Sequence, residues 1–216
     1  MNTEKLYRER FQGCLEMREY IWKLLCEVYF QKFVKDSDRL IDIGAGCCEF
    51  INNIKCKEKY ALDFNEAIRR FASPDVRVIV ADATDASSLP CAYFDKVFMS
   101  NFLEHLFSPE QLVQVMRMVY RILKVGGQVL ILSPNILYVK EHFWDFLDHY
   151  IPLSHNTVKE VLHLTGFSVD LVVPRFLPYT TISRFPKNRF VIRAFLKLPV
   201  FWFLFGKQMF VVGTKK

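Results

Sequence analysis

Apolar residues in this chain come in short runs, and the first runs stop at an acid. Leu40-Ile41-Asp42-Ile43 leads into Gly44-Ala45-Gly46, Tyr60-Ala61-Leu62 stops at Asp63, and Val76 to Ala81 stops at Asp82. Such runs, rich in β-branched residues and bounded by turn formers, read as buried strands. A fourth, Phe94 to Asn101, is entered through the turn Pro90 to Tyr93, and a fifth, Gln128 to Pro134, follows the Gly126-Gly127 break. Between them Pro109 to Leu123 spaces Leu112, Val115, Met116 and Val119 three to four apart, which predicts a helix packed on a sheet. Farther on, His155 to Leu164 predicts a helix closed by Thr165-Gly166-Phe167, and Ser168–Val173 and Gln208–Thr214 predict two last strands. Residues 1–35 read as one or two amphipathic helices, too polar for a secretion signal or a membrane span. Strands alternating with helices predict a mostly parallel α/β sheet with its ligands at the carboxyl ends of the strands. Asp42, Asp63, Asp82 and Ser100-Asn101 all fall at those ends.

The glycine bend sets the chemistry. Gly44 and Gly46 carry no side chain to keep a ligand off the backbone, and the helix that follows should aim N–H groups at the same spot. Asp63 lies 21 residues beyond Asp42, the spacing of an acid that binds ribose hydroxyls. A dinucleotide fingerprint would need a third glycine where this chain has Glu49, and a carboxylate there would repel a pyrophosphate. A nicotinamide oxidoreductase is therefore disfavoured. S-adenosylmethionine (SAM) has no phosphate, and its cationic sulfonium and ammonium tolerate Asp42 and Glu49. An ordinary strand-turn-helix with glycines kept for packing is the plain alternative.

From about Arg39 onward the chain resembles the class I SAM-dependent methyltransferases, of the type found in bacteria acting on small molecules. The resemblance implies a Rossmann-like, mostly parallel seven-stranded sheet flanked by helices, with an antiparallel last strand. It makes Asp42, Gly44, Ala45 and Gly46 the first cofactor motif, Asp63 the ribose acid and Phe64 the adenine neighbour. Asp82-Ala83 matches the pair that reads the adenine edge, and Ser100-Asn101 opens a fourth motif near the methionine part of SAM. Lys124-Val125-Gly126-Gly127 before the fifth strand is habitual in the family, whereas Cys48 stands where it often has a third glycine.

Length and composition change this picture little. With 216 residues, 51% of them hydrophobic, the chain can bury one full core, and no linker or repeat divides it. We expect a single methyltransferase domain over 1–216: an N-terminal helical extension (1–38), a SAM-binding core (39–173) and an insertion (174–207) before the last strand. The six cysteines show no zinc-type spacing and suit a reduced, cytoplasmic protein. Charge matters more. Residues 171–216 hold nine Lys or Arg and no acid, interleaved with aromatics such as Phe190, Phe195, Trp202 and Phe205. That composition suits packing on the sheet or a second subunit, peripheral contact with the inner membrane surface, or a phosphorylated, lipid- or carrier-linked substrate. Nucleic acid is disfavoured, because the aromatics cluster rather than alternate with the charges.

The reaction expected is methyl transfer to a small or carrier-linked acceptor at a hydroxyl, such as O-methylation of a sugar. N- or C-methylation and a non-catalytic SAM-binding partner protein are the alternatives. A hydroxyl needs a base, and His105, after the fourth strand, and His149, within Phe143-Trp144-Asp145-Phe146-Leu147-Asp148-His149, are the candidates. Glu104, Trp144, Asp148 and His155 are candidate substrate contacts. No metal is expected.

Overall fold

The structure is a computed structural model and describes residues 15–179 and 188–216. Its centre is a seven-stranded sheet of order β3-β2-β1-β4-β5-β7-β6. The strands are β1 (Arg39–Ile43), β2 (Glu58–Asp63), β3 (Val76–Val80), β4 (Phe94–Ser100), β5 (Leu123–Pro134), β6 (Phe167–Val173) and β7 (Gln208–Lys215). Strands β1 to β5 pair in parallel; β7 runs antiparallel to both β5 and β6, so it alone is reversed. The expected topology is the observed one. Chain order reverses between β1 and β4, which puts the crevice at the carboxyl ends of those strands.

Alternation along each strand divides the core in two. Ile41, Ile43, Val97, Met99, Val129, Ile131 and Val211 face one side. There they meet Leu112, Val115 and Val119 of α3 (Pro109–Ile122) and Val158 and Leu162 of α5 (His155–Leu164). Their sequence neighbours Leu40, Phe98, Leu130, Leu132, Phe210 and Val212 face the other, as a side-chain period of two requires. That side is covered by Trp22 and Leu25 of α1 (Leu15–Val28) and Phe50 and Ile51 of α2 (Glu49–Asn53). The Phe50 and Phe98 rings stack with centroids 3.6 Å apart, fixing the start of α2 over β4.

Ser108 caps α3, accepting from the Gln111 amide with Pro109 in the first turn; Ser154 caps α5 in the same way through Thr157. The helix expected within 1–35 is α1 followed by a turn of 3₁₀ helix at Phe30–Phe33; the positions before Leu15 lie outside the described residues. The expected break at Gly126-Gly127 is instead a bend within β5, which already pairs at Leu123 with Phe94. Gly126 has φ +77°, and a Cβ on Gly127 would sit 2.8 Å from the Lys124 carbonyl.

The segment between β6 and β7 leaves and rejoins the sheet at the carboxyl edge. It carries α6 (Arg189–Lys197) and α7 (Pro199–Phe205), which rest on the α1 side of the core through Leu196 and Trp202. Residues 180–187 of it lie outside the described set.

Candidate active site

The glycine loop is held by its own chain. The amides of Gly44 and Ala45 donate to the Leu62 carbonyl, the Cys48 amide donates to the Ala45 carbonyl, and the Gly46 amide donates to Asp63 Oδ2 at 2.9 Å. The loop's own donors are thus spent internally, and the helix that follows, α2, has only five residues. Gly44 has φ +72°, and a Cβ there would lie 2.6 Å from Cδ2 of the Phe102 ring. Cys48 is left-handed too, at φ 59°, fully buried at the N-cap of α2. A position where the family often has glycine is therefore one where the backbone favours it, and this chain accepts the strain.

Three carboxylates surround the bend. Asp42 is buried, and its burial, together with the charges of Asp63 and Glu49, pushes its carboxyl well above the usual range. Burial also raises Asp63, while the amides of Asn65, Gly46 and Phe64 pull it back. Glu49 is paired with Arg18 of α1 at 2.5 Å, a neutralising contact for which the sequence held no signal. A cation placed at the bend would relieve Asp42 and Asp63; an anion would add to their repulsion.

Next along the edge, Phe64 leaves 60% of its surface open beside Asp63. Asp82 caps the turn Ala83–Asp85, accepting from the Thr84 amide and hydroxyl, with Ala83 buried behind it. At the end of β4, Asn101 takes φ +49° and donates its side-chain amide to Ser100 Oγ. It joins Gly44, Gly46 and Cys48 as a positive-φ point over the same crevice.

The chain from Leu103 to His105 then meets the segment 143–150. Glu104 is 1% exposed; its Oε2 accepts from Ser133 Oγ at the end of β5, and burial raises its carboxyl above the ordinary value. His105 places Nδ1 2.6 Å from the Asp148 carbonyl and 3.4 Å from the Asp148 carboxylate. His149 is buried, with Nδ1 3.0 Å from the Phe143 carbonyl, and the two imidazoles meet edge to face at 5.0 Å. Four residues named from the sequence, Glu104, His105, Asp148 and His149, are therefore one cluster. Trp144 is exposed and packs its ring on Phe143; His155 lies at the start of α5 against Asn135, away from the imidazole pair's own contacts. Sequence reasoning missed Ser133, Asn135 and Phe102, although the polar end of the fifth run, Ser133-Pro134-Asn135, was a usable signal.

Beyond β5 the same edge carries a surface cavity lined by Leu137, Tyr138, Lys140, Arg175, Pro178, Leu204, Phe205 and Lys207. Arg175 stands over the Tyr138 and Phe203 rings and donates to the Leu204 and Gly206 carbonyls, tying the insertion to β6. Arg189 and Arg193 both reach Glu27 of α1. Part of the positive charge counted in the sequence is therefore used inside the molecule.

Comparison with known proteins agrees with this geometry. Residues 41–131 match the family of methyltransferase domains. A SAM-dependent methyltransferase from Archaeoglobus fulgidus superposes with TM-score 0.70 at 28% identity, covering 99% of each chain. A Thermotoga maritima protein named a possible histamine N-methyltransferase gives 0.68 at 19% identity, covering 97% of this chain and 98% of its own. The complex of the Haloferax volcanii Trm112 methyltransferase activator with its methyltransferase gives 0.68 at 17% identity over 92% of each chain. No curated protein matches the chain. Sheet order, glycine bend and these matches support a SAM-dependent methyltransferase.

Proposed function

We propose that the protein transfers a methyl group from SAM to a hydroxyl of a small or carrier-linked molecule, such as a sugar. The observation that carries the cofactor half is the bend itself, with the loop amides of Gly44, Ala45 and Gly46 spent internally and the buried carboxyls of Asp42 and Asp63 beside it. Such a seat suits a cationic adenosine compound and opposes a pyrophosphate. Asp63 takes the ribose hydroxyls, Phe64 and Asp82-Ala83 hold adenine, and Ser100-Asn101 line the methionine chain, with Asp42, Gly44, Ala45 and Gly46 beneath. When bound, SAM supplies an electrophilic methyl on its sulfonium. The acceptor oxygen is received at Glu104, His105 and His149, with Asp148 behind His105 and with Trp144 and His155 farther out. Holding acceptor and donor aligned is most of what such a site must do.

The cavity beside α4 (Ile136–Val139) supports a carrier-linked acceptor. Lys140, Arg175 and Lys207 stand among Leu137, Leu204 and Phe205, a lining suited to an anionic headgroup with an apolar tail. Phe190, Val200, Phe203 and Leu204 are more than half exposed on α6 and α7, which supports peripheral contact with an anionic membrane from the cytoplasmic side. Among the described residues no helix is long and apolar enough to cross a membrane.

The cofactor reading is tested by calorimetry with S-adenosylhomocysteine. Asp63→Ala should weaken binding at least about tenfold, the loss of a charge-assisted hydrogen-bond pair. Wild-type affinity in the variant, or tighter binding of NADH than of S-adenosylhomocysteine, would overturn it. Turnover of no acceptor class with intact cofactor binding would favour the non-catalytic partner.

A further inference from the structure

We propose that Glu104, His105 and His149 form a binding site for one divalent first-row metal ion. One ligand atom from each residue lies within 4.8 Å of the other two. Ligands about 2.1 Å from a shared ion stand roughly 3 to 4 Å apart, so the set needs only a small closure to coordinate. Two imidazoles and one carboxylate on one side of an ion, with the remaining positions open, are a donor set for zinc, iron(II), cobalt or manganese.

Two further features point to an ion rather than to packing. Among the described residues the Oε1 atom of Glu104 is buried without a hydrogen-bond partner, while its Oε2 is fixed by Ser133. A carboxylate oxygen left bare in the interior is costly unless something positive meets it. In addition, each imidazole has Nδ1 against a backbone carbonyl, His105 at Asp148 and His149 at Phe143. A carbonyl can only accept, so each Nδ1 carries the proton and Nε2 keeps the lone pair. Metal-ligating histidines are oriented in this way, by donating the other ring N–H to a carbonyl or carboxylate. The Asp148 carboxylate at 3.4 Å from His105 adds negative charge behind the ligand.

The ligand set stands on geometry alone; its use rests on the hydroxyl-methylating reading above. The open positions take the acceptor oxygen, whose O–H bond the ion weakens so that the proton passes to water. That oxygen then forms the new bond to the methyl carbon as the carbon–sulfur bond breaks, its electron pair staying on sulfur to leave S-adenosylhomocysteine.

The test uses the whole protein stripped with chelator and titrated with cobalt(II), zinc(II) and manganese(II). We expect one equivalent bound, a cobalt visible spectrum indicating nitrogen and oxygen ligands, and at least a tenfold weaker Kd in Glu104→Gln and in His149→Gln. The wild-type spectrum decides even if a variant folds poorly. Absence of stoichiometric binding by all three ions, or unchanged affinity in both folded variants, overturns the site. S-adenosylhomocysteine binding measured in chelator separates the two readings. Retained there without any metal uptake, it sinks the ion and spares the methyltransferase. Metal uptake without cofactor binding establishes the ion site and sinks the reaction assigned to it.

Discussion

Gly44 is constrained twice, by a left-handed backbone and by the Phe102 ring against its α-carbon. Gly44→Ala should cost about 2 to 4 kcal/mol, a left-handed penalty plus overpacking, read as a lower urea midpoint. Asp42 should show the opposite trade. Its folded pKa lies above the unfolded one, so the native state binds the extra proton, and stability falls as pH rises from about 4 through the raised value. The groups facing it are Asp63, Glu49 with its partner Arg18, and the Cys26 and Cys48 thiols, both themselves raised by burial. Asp42→Asn should therefore make the ligand-free protein more stable than wild type at pH 8, with the gap closing toward pH 4, while weakening SAM binding. Equal urea midpoints at both pH values would contradict this account. At this scale the sequence marked Asp42, Asp63 and both histidines correctly as neighbours of one edge. It could not show that Asp63 spends an oxygen on the Gly46 amide or that Arg18 neutralises Glu49, because those contacts span 17 and 31 residues.

Helices and strands were legible where the period was clean. Leu112, Val115, Met116 and Val119 predicted α3 to within a residue, and the run Leu40 to Ile43 predicted the buried strand β1. Legibility failed where a glycine pair bends rather than ends a strand, as in β5, since Gly126-Gly127 reads as a break in either case. It also failed in the insertion, whose apolar residues divide between two environments. Leu196 and Trp202 point inward, and Phe190 and Phe203 point out. Trp202 anchors that element, with its ring on Phe176 at 5.1 Å and on Tyr29 at 5.6 Å and its Nε1 donating to the Phe195 carbonyl. Trp202→Ala should remove about 2 to 3 kcal/mol from the docking of α6 and α7. Hydrogen exchange checks it: amides of α7 should exchange faster while those of β1 and β4 keep their protection.

Taken whole, the molecule brings the candidate site residues to one rim, the carboxyl ends of the strands to which the acid-terminated runs pointed. What the sequence could not foretell was how the excess positive charge divides, for Arg189 and Arg193 turn to Glu27 and leave the apolar side chains as the more exposed feature. Membrane contact, if it follows from that surface, should depend more on Phe203 and Leu204 than on Arg193. Co-sedimentation with anionic vesicles should drop several-fold in a Phe203→Ser, Leu204→Ser double variant and change little in Arg193→Gln. The reverse ranking would assign the interaction to charge.

The position of β7 has a consequence for how the chain is made. It lies between β5 and β6, yet it is synthesised after both. A ribosome that has delivered everything through Val173 has produced a half-closed sheet whose fifth and sixth strands share no hydrogen bond. Their exposed edges must wait some thirty residues for the strand that joins them, which makes this interval of translation the one in which a chaperone has most to shield.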